Sequence, residues 1–171
     1  MTAVSRNAAW TICWAALLAA ASPTAAQPWA AERLEQSPRH LEWADVTHGD
    51  RKVACFVAYP ERAEKAPAVV VIHEIFGLTD WVRGVADQLA EAGFLAIAPD
   101  LLSGPEPNGG GADPLGGGDG VRRVIGRLPA DQIDADLDAA AKYVAKLPAC
   151  TGAISVAGFC WGGTQSFRYA T

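Results

Sequence analysis

The chain has 171 residues, a formal net charge of −5 at pH 7 and four cysteines. This length allows one domain with a hydrophobic core of its own. The mildly acidic charge, without basic clusters, argues against a nucleic-acid-binding protein, because such proteins carry positive patches that meet the phosphates.

The first 26 residues predict an export signal rather than part of the fold. Arg6 is a weak positive region, residues 9–20 form an apolar run too short to span a bilayer, and small residues lead to a cleavage site after Ala26. An uncleaved membrane anchor is the alternative. With cleavage, we expect a periplasmic or secreted protein without stable membrane association.

Cleavage would leave three cysteines, Cys55, Cys150 and Cys160. An odd number in an oxidising compartment implies at least one free thiol. If Cys160 is that thiol, Cys55 and Cys150 could form a disulfide. Two separate reduced cysteines in the core are the other interpretation.

The first part of the remaining chain predicts a lead-in and a hairpin. Residues 27–39 are polar, contain two prolines and predict a loose lead-in. Residues 41–47 and 53–59 alternate apolar and polar side chains, with a turn between them. This pattern is typical of a β-hairpin or of consecutive edge strands.

Strand and helix patterns then alternate along the chain. Continuous apolar runs predict strands covered on both faces at residues 68–72, 94–98 and 152–157. Helical spacing of apolar residues predicts helices over 80–92, where Gly93 ends the helix, and over 131–147. The alternation predicts an α/β fold whose mostly parallel sheet is flanked by helices, in one domain over residues 40–171.

Two ionisable side chains, His73 and Glu74, follow the first covered strand, at the sheet edge where ligands bind in such folds. The segment that contains them reads His-Glu-Ile-Phe-Gly-Leu over residues 73–78. His73 is interpreted as a strand-end residue that backbone groups satisfy. The segment does not predict a zinc site, because position 77 is glycine where a second histidine would be needed.

Residues 104–120 contain eight glycines and three prolines. This composition does not pack by itself, so it predicts either a disordered surface loop or a mobile flap near an active site. It is not a phosphate-binding loop, because no Gly-Lys-Ser/Thr closes it.

Residues 158–163, Gly-Phe-Cys-Trp-Gly-Gly, lie between the last predicted strand and a short helix. A Gly-x-Cys-x-Gly in this position predicts a nucleophile elbow, a tight strained turn that needs small residues on both sides. The Cys160 thiol would then project beside the helix N-terminus. A buried structural cysteine is the alternative interpretation of Cys160.

Backbone N–H groups next to such a nucleophile can stabilise an oxyanion. By position, the two donors are Ile75, in the loop after the first covered strand, and Trp161, directly after the nucleophile. Glu74 would lie beside the thiol and could accept its proton. Alternatively, Glu74 is a solvated carboxylate at the rim.

Four segments, taken in order and at this spacing, resemble the dienelactone hydrolase family of α/β-hydrolases: residues 69–78, 85–94, 98–102 and 158–163. The resemblance extends over about residues 41–170. It implies hydrolysis of an ester or lactone in a small molecule, as in the conversion of dienelactone to maleylacetate, by a monomer without cofactor or metal. It also implies that Cys160 is the nucleophile, that Glu74 activates the thiol when substrate binds, and that Ile75 and Trp161 form the oxyanion hole.

The sequence departs from the family pattern in two places. The family's triad aspartate and histidine follow the elbow, whereas this sequence stops at Thr171 and its three histidines, at positions 40, 48 and 73, precede the elbow. We therefore expect the N-terminal part of such a domain, incomplete at its C-terminus. The family arginine that binds a substrate carboxylate is also absent from residues 102–105, and Arg122 and Arg123 are the candidates that could approach instead.

These departures keep a second hypothesis open beside the hydrolase. The chain could be a catalytically inactive fragment, or a remnant that binds a small molecule without the triad aspartate and histidine.

Overall fold

The computed structural model describes residues 28–104 and 118–171. The predicted export signal and most of the glycine-rich segment lie outside the described residues. The five helices described are α1 Pro28–Glu35, α2 Asp80–Glu91, α3 Gly118–Ile125, α4 Ala130–Lys146 and α5 Trp161–Tyr169. The five strands described are β1 Leu41–His48, β2 Arg51–Ala58, β3 Ala66–Ile72, β4 Leu95–Pro99 and β5 Cys150–Gly158.

The five strands form one mixed sheet in the order β1-β2-β4-β3-β5. The hairpin β1–β2 is antiparallel, as the sequence predicts, and β2 pairs antiparallel with β4. β3 pairs parallel with β4 on one side and with β5 on the other. Because β3 and β5 are adjacent and parallel, their carboxyl ends meet at the same edge of the sheet.

The apolar side chains of β3 point alternately to two cores, one on each face of the sheet. Val70 and Ile72 pack in the first core with Leu137 and Val144 of α4. On the opposite face, Val71 packs with two apolar groups of α2, Val82 and Ala86. The sheet therefore lies between two helical layers, and β3 runs through the middle of the domain.

Cys55 and Cys150 both lie in the first core. Neither forms a disulfide with another described cysteine, and Cys160 is likewise a free thiol. Burial raises the pKa of the Cys55 thiol to about 12. Of the two interpretations of Cys55 and Cys150, the structure therefore supports two reduced core cysteines.

The lead-in is more ordered than the sequence predicts. Residues 28–35 form α1, whose Leu34 packs against the second core, instead of a loose segment. Arg39 follows this helix and forms an ion pair with the buried carboxylate of Asp87 on α2, at 2.7 Å. Contacts with a distant part of the chain thus decide the conformation of this polar segment.

β5 is less covered than its apolar sequence predicts. Residues 151–155 are exposed, because β5 has a neighbouring strand on one side only within the described part of the sheet. α3 is the other difference. It begins at Gly118, inside the segment predicted as a loop, and buries Val121 and Ile125.

No helix in the described ranges is long and apolar enough to cross a membrane.

Candidate active site

The turn between β5 and α5 holds Cys160 in a strained conformation. Its φ of 53° and ψ of −119° make it the one non-glycine residue with positive φ in the described ranges. L-residues avoid this region because Cβ collides with the backbone. The side chain is exposed at the start of α5, so the turn presents a thiol to solvent at the carboxyl edge of the sheet.

The glycines on both sides of Cys160 are required by close packing of the backbone. A Cβ on Gly158 would overlap the Gly162 carbonyl and approach the Ser166 hydroxyl to 2.7 Å. A Cβ on Gly162 would overlap the carbonyl oxygens of Ile72 and His73 at the end of β3. The start of α5 therefore lies directly against the end of β3, and the predicted need for small residues is met.

The loop after β3 is a tight turn. The Gly77 N–H donates to the Glu74 carbonyl at 3.1 Å, and Gly77 has a φ of 82°. Ile75 and Phe76 therefore occupy the corners of the turn, next to the point where α5 meets β3. This arrangement brings Glu74 and Ile75 to the same edge of the sheet as Cys160 and Trp161.

Two backbone N–H groups at this edge have no hydrogen-bond partner among the described residues. Neither the Ile75 N–H nor the Trp161 N–H donates a hydrogen bond to another group in the described ranges. At the start of α5, the Gly163 and Thr164 N–H groups donate to the Cys160 carbonyl instead. The first N–H groups of a helix carry partial positive charge and bind anions.

Glu74 is half-buried, and its carboxylate has no hydrogen-bond partner among the described residues. Burial raises its pKa, because the charged form loses solvation. A carboxylate with a raised pKa binds a proton more readily than a solvated one. Glu74 is therefore suited to exchange a proton with a neighbouring group.

His73 is fully buried, and backbone groups satisfy both of its ring nitrogens, as the sequence interpretation expects. Its Nδ1 lies 2.8 Å from the Glu74 carbonyl oxygen, and its Nε2 lies 3.3 Å from the Leu101 nitrogen. Burial lowers its pKa to about 4. Its ring stacks on Trp161, with the centroids 5.7 Å apart and the planes at 18°.

The other two histidines of the sequence are also engaged away from Cys160. His40 contacts Glu42 and Tyr59, and His48 contacts Asp136 at 2.6 Å. Both belong to the β1 side of the sheet, and three strands separate β1 from β5. None of the three histidines forms a hydrogen bond with the Cys160 thiol.

Aromatic contacts surround the two loops of the site, and the sequence patterns did not reveal them. Phe159 meets Trp81 edge-on at 5.1 Å. The Arg122 guanidinium lies over the Phe76 ring at 4.7 Å, so α3 reaches the turn that carries Glu74 and Ile75. Of the two arginines considered from the sequence, Arg122 is the one that contacts this turn.

The part of the chain that the structure describes contains no group of three or more histidine, cysteine or acidic side chains that could hold a metal ion.

Comparison with known proteins gives a consistent result. The profile of the "Dienelactone hydrolase family" matches residues 53–171. The "Putative carboxymethylenebutenolidase" of Escherichia coli K12 is 31% identical over 72% of this chain and 50% of its own length. The "Probable 2-oxo-3-(5-oxofuran-2-ylidene)propanoate lactonase" of a Bradyrhizobium species is 31% identical over 76% of this chain and 51% of its own length.

A solved structure agrees with this similarity. The crystal structure titled "Putative Dienelactone Hydrolase from Klebsiella pneumoniae" superposes with a TM-score of 0.66 at 27% identity, over 77% of this chain and 54% of that one. The chain thus spans about half the length of the curated relatives and the structure that it matches.

Proposed function

The chain belongs to the dienelactone hydrolase family, and we propose that it hydrolyses the ester or lactone bond of a small molecule through a thiolate on Cys160. The observation that carries this proposal is the strained turn that exposes Cys160 beside a helix N-terminus. Backbone strain of this kind costs about 1–3 kcal/mol and persists mainly where function requires it. An ordinary structural cysteine has no need of such a turn.

The first step of the proposed reaction forms a thioester. The Cys160 sulfur attacks the carbonyl carbon, and the electron pair of the C=O bond moves to oxygen. The N–H groups of Ile75 and Trp161 would stabilise that oxyanion, since both lack a protein partner in the described ranges. Collapse of the intermediate breaks the bond to the leaving oxygen, which takes up a proton.

The second step returns the thiol. Water attacks the thioester carbon, the same two N–H groups stabilise the oxyanion, and the carbon–sulfur bond breaks. The products are a carboxylic acid and the protonated Cys160. With a lactone, the acid and the alcohol remain parts of one molecule.

The thiol must lose its proton before it attacks. We assign to Glu74 the role of first accepting the proton of the Cys160 thiol, because the raised pKa of the Glu74 carboxyl group makes it a better base than a solvated carboxylate. The chain's own histidines are engaged elsewhere. A triad histidine, which the family resemblance implies, would therefore be a residue outside these 171.

The second candidate function is binding of the same small molecules without turnover. It is favoured by one observation, namely that no histidine of the sequence forms a hydrogen bond with Cys160. Without a base for the deacylating water, a thioester would accumulate or would not form at all. A catalytically inactive chain would thus bind the small molecule at this site but release no product.

Trapping the covalent intermediate separates these candidates. The complete gene product is mixed with p-nitrophenyl acetate, quenched in acid within one turnover, digested and analysed by mass spectrometry. We expect an added acetyl group on the peptide that contains Cys160, and continued release of product with excess substrate. Acetylation without further turnover would favour the binding protein, and absence of both would contradict the hydrolase.

The matched variant is Cys160→Ala. Its kcat should fall by about 10⁴-fold or more, as expected when a nucleophile is removed, while the midpoint of thermal unfolding should change little because the side chain is exposed. Turnover of the ester that survives this change would exclude Cys160 as the nucleophile.

We also propose that the protein is exported to the periplasm or secreted, on the basis of the apolar run and small residues that precede Gln27. Mass spectrometry of the protein from a periplasmic fraction should give Gln27 as its N-terminus. A protein that retains Met1 and stays in the cytoplasm would contradict export.

A further inference from the structure

The buried ring of His73 lies where the two loops of the site meet. Its Nδ1 forms a hydrogen bond with the Glu74 carbonyl, in the turn that contains Ile75, and its ring stacks on Trp161. It also receives a hydrogen bond from the loop after β4, through the Leu101 N–H. The proposed mechanism gives His73 no proton to transfer, although His73 contacts the peptide that carries one oxyanion donor and the side chain of the residue that carries the other.

The two hydrogen bonds define the tautomer of the ring. The Leu101 N–H can only donate, so Nε2 must be the unprotonated nitrogen. The Glu74 carbonyl can only accept, so Nδ1 carries the hydrogen and donates at 2.8 Å. The pKa of about 4 keeps the ring neutral at neutral pH, which preserves this arrangement.

The geometry of the peptide bond extends this contact to Ile75. The Glu74 carbonyl and the Ile75 N–H belong to one planar trans peptide and point in opposite directions. A donor that holds the carbonyl oxygen on one side therefore directs the N–H to the other side. The Gly77 N–H also donates to this oxygen, at the longer distance of 3.1 Å.

We propose that His73 is the positioning residue of the oxyanion hole. Its Nδ1–H holds the Glu74 carbonyl so that the Ile75 N–H faces the substrate oxygen, and its ring supports Trp161, which carries the second donor. This inference rests on the proposed function, because it assigns a task within the same site. His73 forms no hydrogen bond with the Cys160 thiol, so in this assignment it acts only through the Glu74–Ile75 peptide and Trp161.

A purely structural role would have different consequences. Many buried histidines only satisfy nearby backbone groups, and their loss lowers the stability of the whole domain. A positioning residue instead affects the transition state, because the oxyanion exists only there. The rate of the chemical step must therefore fall while substrate binding is retained.

The test uses two variants of the complete gene product. His73→Phe keeps a ring that can stack on Trp161 but removes the Nδ1–H donor. His73→Asn places an amide N–H near the position of Nδ1 and so restores the donor without the ring. Steady-state hydrolysis of p-nitrophenyl acetate is measured together with the rate at which iodoacetamide alkylates Cys160, a displacement that builds no oxyanion.

We expect His73→Phe to lower kcat by about 10- to 100-fold, somewhat less than the loss of a whole oxyanion donor. The KM and the alkylation rate should stay within about twofold of the parent values, because neither depends on the oxyanion. His73→Asn should recover most of the lost kcat. A His73→Phe protein with the parent kcat, or a His73→Asn protein as impaired as His73→Phe, would overturn the proposal.

Crystal structures of the two variants test the same inference without any activity. A peptide between residues 74 and 75 that rotates in His73→Phe and keeps its orientation in His73→Asn supports the proposal, and an unchanged peptide in both overturns it. If the parent protein hydrolyses no ester, the proposed function fails while this measurement still decides the role of His73. If only the variants behave unexpectedly, the hydrolase proposal stands and the positioning role fails.

Discussion

Two carboxylates, Asp136 and Glu74, show how differently two regions of this molecule are built. Asp136 is fully buried on α4 and receives hydrogen bonds from His48 at 2.6 Å and from two nitrogens of Arg51 at 2.8 and 2.9 Å. The Glu74 carboxylate is half-buried and has no such partner among the described residues.

The two carboxylates differ in how many elements of the fold their neighbours connect. Arg51 also donates to the carbonyls of Leu101 and Ser103, so the Asp136 cluster joins the β1–β2 hairpin, α4 and the loop after β4. A buried charge with all of its partners holds elements in place. Around Glu74 and Cys160, by contrast, the carboxylate, the thiol and two backbone N–H groups remain available to a substrate.

The largest loss of stability is expected for Arg51→Met, which removes the main partner of Asp136. The variant leaves the buried Asp136 with His48 alone and removes a donor from two carbonyls. We expect a loss of about 3–5 kcal/mol in the free energy of unfolding, measured with urea, because the buried carboxylate of Asp136 loses the guanidinium that pairs with it.

Lys142→Met is the matched control, since the Lys142–Asp138 pair is exposed and should contribute less than about 1 kcal/mol. Equal losses in the two variants would show that the Asp136 cluster has no special role in stability.

The Asp100 carboxylate is an intermediate case, because it is buried but accepts, within the described ranges, only one hydrogen bond, from the Leu102 N–H at 3.0 Å. Burial raises its pKa to about 6, against the ordinary 3.8. The folded state then binds this proton more tightly than the unfolded state, so ionisation of Asp100 lowers stability as pH rises from about 4 to about 6.

Asp100→Asn cannot ionise and keeps the acceptor oxygen. The free energy of unfolding of Asp100→Asn should therefore rise, relative to that of the parent protein, as pH increases from about 4 to about 6. At pH 7 this relative gain should be about 3 kcal/mol. The measurement is the free energy of unfolding of both proteins at pH 4 and pH 7. A difference between them that does not change with pH would contradict the raised pKa.

The smallest expected effect tests the strain at Cys160. Cys160→Gly removes the Cβ clash, because glycine adopts positive φ freely, but glycine also loses more conformational entropy on folding. The net result should be a gain of about 1 kcal/mol in the free energy of unfolding. Cys160→Ala keeps the clash and is the control, so its free energy of unfolding should match that of the parent protein. Equal stability of the glycine and alanine variants would show that the strain in the turn is no larger than the entropy cost of glycine, and would contradict the prediction.

The local features of the site were predictable from short stretches of sequence. The glycines at 158 and 162 predict a tight turn, and the packing around them gives the reason, since a Cβ at either position would overlap backbone atoms. Gly93 likewise ends α2 with a φ of 93°, as its position predicts. In each case the constraint acts within a few residues.

Other features could not be predicted, because the partners are distant in sequence. α1 forms in a polar segment because Leu34 packs on the second core and Arg39 pairs with Asp87. Within the described residues β5 has a neighbouring strand on one side only, and its apolar composition does not specify which strands flank it. Arg122 reaches Phe76 only because α3 packs there.

The sequence by itself determined the order of the five strands and of α2, α4 and α5, and the position of the tight turn at Cys160, because periodicity and glycine sterics are local. Only the tertiary structure decided what surrounds them. It joins His48 to Asp136 across 88 residues and His73 to Leu101 across 28. Such contacts depend on which strands become neighbours, and the neighbours then decide that Asp136 has hydrogen-bond partners whereas the Glu74 carboxylate has none among the described residues.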